Sequence, residues 1–315
     1  MKTTRNMLGD EHRSIFARDG FCTLSAISPA DEVEIIRAEL MSLFERKAGI
    51  NEGALTDLVS PDGAPGNSPQ ILNPSNYSAV LRKTRHREAC FAIAREILGP
   101  DAKIAFEQAL YKPAESGAST PWHQDDAFTA DADADVDQIT IWMPLQDVDE
   151  QNACMRYIPG SQQWPILEHH SLGNDPRVQA LECNLPDDAP QPASVPLKAG
   201  DCVIHGSRTL HSATANKSGR SRLAYALAFD GPPRRRDGPE IFPWHTHQRT
   251  RSRELQRQWL LKGGIFVQTW RKIRQGRFND PRRFGYKASR WMRKVFRGRA
   301  GAGEAPRNET NHPQD

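Results

Sequence analysis

The spacing of hydrophobic positions changes twice along this chain. In the first hundred residues it is helical: Val33, Ile36, Leu40, Leu43 and Phe44 recur every three or four residues and share one face. Ser28-Pro29-Ala30-Asp31 opens that helix, with Ser28 suited to cap it and Pro29 to its first position. Before it, residues 16–24 read as a helix end, a glycine turn and a short strand; after it, 78–87 and 87–98 read as two short helical pieces ended by Gly99-Pro100. From Lys103 the period falls to two. Residues 103–112 alternate, and over 138–148 the polar-side set Gln138, Thr140 and Trp142 opposes Ile139, Ile141, Met143 and Leu145. Further strands are predicted over 154–158, 194–198, 202–207 and 222–229, with turns at Pro159-Gly160-Ser161 and Gly200-Asp201. The pattern predicts a mainly β core with flanking helices.

Between these elements lie polar stretches. Residues 51–78 are rich in Gly, Pro, Asn and Ser and read as one long loop. Residues 131–137 (DADADVD) lack the glycine and distal glutamate of a calcium-binding loop and read as a solvated loop. His169-His170, in 164–188, reads as a paired surface histidine, and 233–237 (PRRRD) as a solvated turn.

Composition narrows the class. The chain has 315 residues and a net charge of +3, but residues 251–315 hold 17 Lys/Arg against 5 Asp/Glu, a local +12 that leaves −9 for the rest. Its five cysteines, Cys22, Cys90, Cys154, Cys183 and Cys202, are odd in number and form no CxxC pair, which argues against a disulfide framework and a cysteine zinc site. That cysteine usage suits a reducing cytoplasm, and no apolar run suits a secretory signal or a membrane span. The expected organisation is a β domain over 1–250 with N-terminal helices, a basic helical extension over 251–299 and a disordered tail over 300–315. Residues 284–297 form a basic amphipath. It fits either a helix packed on the core with a solvated face, the ordinary case, or peripheral contact with an anionic membrane. No nucleic-acid reading motif accompanies the charge.

The candidate chemistry centres on QALYKPAESGASTPWHQDD, residues 108–126. On an extended backbone alternate side chains point the same way, so His123 and Asp125 can reach one point while Gln124 turns aside. A second imidazole, His211, from far along the chain completes a two-histidine, one-carboxylate set. Such a set leaves metal positions open and typifies non-haem Fe(II) oxygenases.

The succession FEQALYKPAESG…PWHQDDA, ITIWMPLQDVDEQNACMRYIPGS and AGDCVIHGSRTLHSATANKSGRSRLAYAL resembles the phytanoyl-CoA dioxygenase family of Fe(II)/2-oxoglutarate oxygenases, over about 16–229. The resemblance implies a double-stranded β-helix, a cupin-like jelly roll with helices outside. It implies His123, Asp125 and His211 as metal ligands. The family's 2-oxoglutarate-anchoring arginine follows the distal histidine by eleven residues, which is Arg222 here. A guanidinium fork suits a buried dicarboxylate, and Ala224, Ala226 and Ala228 leave room beside it. The exposed-turn rival is Arg220. Gln108 and Trp142 match positions near the co-substrate, with a strand hydrogen bond and core packing as their structural readings. His205 fits the family's His-Gly and could orient a ligand. Ser212-Ala213 departs from the usual Gly-Ser.

The activity so implied is hydroxylation of a small molecule, lipid-like or a secondary metabolite, using Fe(II), 2-oxoglutarate and O2 with release of succinate and CO2. The retained Asp125 favours hydroxylation over halogenation. The alternatives are an inactive jelly-roll metal-binding sensor or scaffold, and a divalent-metal hydrolase with the same ligands. No acyl-CoA signature is found, and oligomeric state is not encoded in any pattern seen.

Overall fold

The computed structural model describes residues 7–61, 66–128, 134–235 and 242–274. The chain divides into two compact units, Met1–Lys262 and Gly263–Asp315. The first begins with helix α1 (Asp10–Asp19), which stops at Gly20, where φ is +82°. A Cβ at that glycine would stand 2.5 Å from Gln162 Oε1 and 2.6 Å from Thr209 Oγ1, so neither the conformation nor the space admits another residue. Strand β1 (Phe21–Leu24), helix α2 (Ala30–Glu45), strands β2 (Leu55–Asp57) and β3 (Pro69–Leu72) and helix α3 (Arg85–Leu98) follow. The β region then runs through β4 (Lys103–Lys112), β5 (Thr120–His123), β6 (Ala134–Pro144), β7 (Met155–Tyr157), β8 (His170–Ser171), β9 (Leu181–Glu182), β10 (Ala193–Val195), β11 (Cys202–Gly206), β12 (His211–Ala213) and β13 (Arg222–Arg235). Short helix α4 (Pro243–His247) and helix α5 (Arg251–Trp259) close this unit. In the second unit the described element is α6 (Ile265–Arg274), which leaves Phe266 and Trp270 exposed.

The strands make a seven-stranded sheet in the order β1-β11-β6-β13-β4-β3-β2, a four-stranded sheet β10-β7-β12-β5 and the pair β8-β9. All pairings are antiparallel. Alternation decides which side chains go where. Leu223, Tyr225, Leu227 and Phe229 of β13 and Ile139, Ile141 and Met143 of β6 face outward, onto Val33, Ile36, Leu40 and Leu43 of α2 and Cys90, Ile93 and Ala94 of α3. The other faces, Trp142, Val203, Ala224 and Ala226, meet Met155, Tyr157, Val195 and Ala213 of the smaller sheet. Phe21 stacks on Tyr157 across the gap, ring centroids 4.5 Å apart. Two sheets closed over such an interior, with helices outside one of them, form the double-stranded β-helix expected from the sequence. The outer layer carries much of the stability: Leu40 is fully buried, and trimming it to alanine would cost about 2–5 kcal/mol.

Several local expectations change. Ser28 does not cap α2; its hydroxyl lies 2.9 Å from His86 Nδ1, and Pro29 holds the cap position. The carboxylate of Glu32 instead caps α3, accepting from the backbone N–H of Arg85 (2.7 Å) and His86 (2.8 Å). The 78–87 helix is a single tight turn, Leu81–Lys83. The 51–78 loop hides β2 and β3, which are too short for a period to show. Residues 134–137 of the acidic stretch lie in β6 and 233–235 of the basic one in β13, and 134–136 pair with 233–235 as register partners. Pairing with a long neighbouring strand outweighs the poor strand propensity of both segments. The helical spacing after Arg251 is interrupted by a wider turn, Leu260–Gly264, at the glycine pair. The five cysteines are free and buried. The amphipath 284–297 and the segment 300–315 lie outside the described residues.

Candidate metal centre

His123 is the last residue of β5 and His211 the first of β12, and the two are register partners. Strand pairing therefore sets both imidazoles side by side, ring centroids 4.2 Å apart. Gln124 keeps an extended backbone, φ −113° and ψ 132°, and Asp125 opens the single turn Asp125–Ala127. The extended residue turns the carboxylate back toward the imidazoles. Asp125 Oδ1 lies 3.8 Å from His123 Nε2 and 3.6 Å from His211 Nε2, and one donor atom from each residue falls within 4.8 Å of the others.

The tautomers suit a metal. His123 Nδ1 sits 2.8 Å from the carbonyl of Pro121, and His211 Nδ1 2.8 Å from that of Thr209. A carbonyl only accepts, so each Nδ1 carries the proton and each Nε2 presents its lone pair. Burial, then a neighbouring imidazole, pushes both histidines down to about 4, so they are neutral near pH 7. Burial works to raise Asp125, but His211, His205 and His123 outweigh it and hold the carboxyl below the usual range. Its Oδ2 faces away from the pair: it accepts from Thr140 Oγ1 at 2.9 Å and lies 3.5 Å from His205 Nε2. His205 Nδ1 in turn is 3.0 Å from the Tyr157 hydroxyl. The Tyr157 hydroxyl can serve either tautomer of His205, and Nε2 makes no hydrogen bond. Oδ1 is left facing the two imidazole Nε2 atoms.

Arg222 starts β13 on the inward face. It is 3% exposed, its Nε and one terminal nitrogen have no hydrogen-bond partner, and burial pushes it down to about 10. Its guanidinium carbon stands 5.5 Å from the ring centre of Trp142, whose Nε1 is buried and unpartnered too. Trp142, Ala226 and Gln108 are register partners in a row across β6, β13 and β4. Gln108 Nε2 donates to Gln70 Oε1 at 3.2 Å, and Gln70 Nε2 is left without a partner. Beside Arg222, Lys112 bonds the carbonyls of Thr214 (2.8 Å) and Ala118 (3.2 Å); burial, then Arg222, pushes it down to about 6. A buried guanidinium without an anion is costly. The alanines beside it and the idle donors fit a small diacid such as 2-oxoglutarate, as the three-donor cluster fits Fe(II).

The structure thus brings together His123, Asp125 and His211, and places Arg222, Trp142 and Gln108 along one inward face. Arg220 is exposed. The reading of His169 as a surface residue is wrong. It is 2% exposed, and its Nε2 accepts from Gln124 N–H at 3.1 Å. Only its neighbour His170 stays half-open, 3.5 Å from Glu182. Thr140 and Tyr157 were not singled out for chemistry either. The inward register of β6 carries a signal for Thr140; the irregular stretch before β8 gives none for His169.

A double-stranded β-helix with two histidines and a carboxylate at its interior, and a buried arginine beyond, defines the class of Fe(II)/2-oxoglutarate-dependent oxygenases. Residues 16–224 match the model of the phytanoyl-CoA dioxygenase family. The chain belongs to that family. It is 27% identical over 170 residues to a probable alpha-ketoglutarate-dependent hypophosphite dioxygenase of Stutzerimonas stutzeri, covering 52% of this chain and 58% of that protein. It therefore spans little more than half the length of that relative. It is 24% identical to the L-proline trans-4-hydroxylase of Streptomyces griseoviridis, covering 68% of this chain and 84% of that one. Among solved structures, EvdO2 of Micromonospora carbonacea var. aurantiaca complexed with 2-oxoglutarate superposes with a TM-score of 0.63 at 29% identity, covering 75% of this chain and 96% of that one.

Proposed function

We propose that this protein is an Fe(II)- and 2-oxoglutarate-dependent dioxygenase that hydroxylates a small molecule, lipid-like or a secondary metabolite. His123, Asp125 and His211 would hold the metal. Arg222 anchors the far carboxylate of 2-oxoglutarate, and Gln108 and Trp142 border it. Fe(II) so held, with 2-oxoglutarate and O2, supplies the oxidising power for hydroxylation, with succinate and CO2 released. The protein's own part is orientation and electrostatics. The backbone carbonyls of Pro121 and Thr209 fix the imidazole tautomers, the Thr140 hydroxyl holds Oδ2 and so turns Oδ1 inward, and the apolar interior keeps Arg222 from water.

The observation that carries the reading is the pairing of a three-donor cluster with an uncompensated buried guanidinium. A scaffold that binds metal alone would not keep that cation against its burial cost. The test is succinate formation from 2-oxoglutarate with Fe(II) and air, across a panel of lipids and secondary metabolites. Turnover should need Fe(II) and vanish in His123→Ala. Unchanged turnover in that variant, or turnover with Zn(II) and no oxygen, would remove the assignment. No described helix is long and apolar enough to cross a membrane.

A further inference from the structure

One segment beyond the family-matched residues reaches back to the site. Helix α4 follows β13, and two of its side chains end on the same backbone oxygen. Trp244 Nε1 donates to the carbonyl of Ala127 at 3.0 Å, and His245 Nε2 donates to it at 2.6 Å. Ala127 closes the turn that Asp125 opens: its N–H bonds Gln124 O, and the N–H of Phe128 bonds Asp125 O, each at 3.0 Å.

The other end of the turn is held too. His169 Nε2 accepts the N–H of Gln124 at 3.1 Å, while Leu167 O takes the proton on its Nδ1 at 2.8 Å. Burial pushes His169 down to about 4, so Nε2 stays an acceptor near pH 7. The His169 and Trp244 rings lie 5.4 Å apart, and Trp244 stacks on Phe242 at 4.5 Å. Gln124, His169 and Trp244 are all buried. One aromatic layer therefore grips both ends of the turn, whose middle is tied by the Asp126 N–H to Ser207 O at 3.0 Å and whose Gln124 side chain bonds Pro165 O, Arg208 O and Leu167 N–H. Each residue so fixed costs backbone entropy that these contacts offset.

We infer that Trp244, His245 and His169 are positioning residues for Asp125. By pinning the ends of the Gln124–Ala127 turn they set how tightly the site holds a divalent metal. None of the three belongs to the three-donor cluster. They act by sparing the metal the cost of ordering the backbone that carries its carboxylate ligand, and groups that orient ligands in this way typically govern about 10–100-fold in affinity. The inference rests on His123, Asp125 and His211 being the ligands.

The experiment is titration calorimetry of the metal-free full chain with Mn(II), a stand-in for Fe(II) that tolerates air, with melting curves alongside. Trp244→Phe keeps an aromatic ring in place and removes the N–H together with part of the indole's bulk, and the melting curves read the packing part. His169→Leu removes the acceptor, and His169→Gln restores one. Trp244→Phe and His169→Leu should each weaken Mn(II) about tenfold, and His169→Gln should recover most of that loss. Mn(II) affinity unchanged in Trp244→Phe would overturn the inference, even if His169→Leu failed to fold. So would equal weakening in His169→Leu and His169→Gln, which would point to packing alone. Asp125→Ala separates the two levels. If it leaves Mn(II) affinity intact, the ligand assignment itself fails. If it abolishes binding while Trp244→Phe does nothing, only the positioning role fails.

Discussion

His211 stands opposite His123 in the register of β12 and β5, and both rings hand their Nδ1 proton to the carbonyl two residues back. The same local device thus prepares both imidazoles, and the sheet brings them together. Replacing either histidine with alanine should lower affinity for Fe(II) or Mn(II) by about a hundredfold or more, since a ligand is lost outright. Calorimetry under argon measures this. A loss below tenfold in both variants would mean that the metal, if bound, sits elsewhere.

Arg222 is expected to be costly without its anion. Arg222→Met should abolish 2-oxoglutarate binding and, without ligand, raise the unfolding free energy by roughly 1–3 kcal/mol, because a buried unpaired charge gives way to a packed apolar chain. Denaturant unfolding and calorimetry read the two effects. A variant that is less stable and still binds the diacid would contradict this role.

Lys112 is a second buried cation, pushed down to about 6 by burial and then by Arg222. A dicarboxylate that neutralises Arg222 removes part of that repulsion and raises Lys112. Binding of 2-oxoglutarate near pH 7 should therefore take up a fraction of a proton. Enthalpies measured in buffers of different ionisation heat should differ accordingly, and buffer-independent enthalpies would count against it.

The metal-free protein should lose stability as pH falls. An unfolded histidine titrates near 6.5. In the fold, burial pushes His86 down to about 3 and His123, His169 and His211 to about 4. Between about pH 6.5 and 4 the unfolded chain takes up protons that the folded chain refuses, so stability drops across that window. Melting temperatures at pH 7 and pH 5 test it; a flat profile would contradict it.

Glu107 is 1% exposed and accepts from Ser75 Oγ (2.9 Å) and Tyr225 Oη (2.8 Å), with Arg87 as its ion-pair partner. Glu107→Leu should cost about 3–5 kcal/mol by stranding Arg87. Adding Arg87→Met should recover most of it, as chemical denaturation would show. A double variant no more stable than the single one would place the cost in packing instead.

The sequence disclosed those parts of the protein whose signal is local or repeats. Period-two alternation placed β4 and the faces of β6, and helical spacing placed the buried side of α2. His-x-Asp on an extended backbone predicted a shared point for His123 and Asp125, and spacing along a resembled family led to Arg222. What stayed hidden depends on partners distant in the chain. Ser28 looks like a cap until His86 is seen beside it. His169 looks solvated because its neighbours are polar, and only the fold shows Gln124 N–H pointing at it. β2 and β3 have three and four residues, too few for any period, and exist because β4 offers an edge.

The central claim is one metal held by His123, Asp125 and His211, with 2-oxoglutarate bound against it by Arg222. Anaerobic calorimetry of 2-oxoglutarate binding, with and without Fe(II), tests it most directly. One diacid should bind per chain, markedly tighter with Fe(II) than without, and this gain should disappear in His211→Ala. Equal binding with and without metal, or an undiminished gain in His211→Ala, would contradict the account.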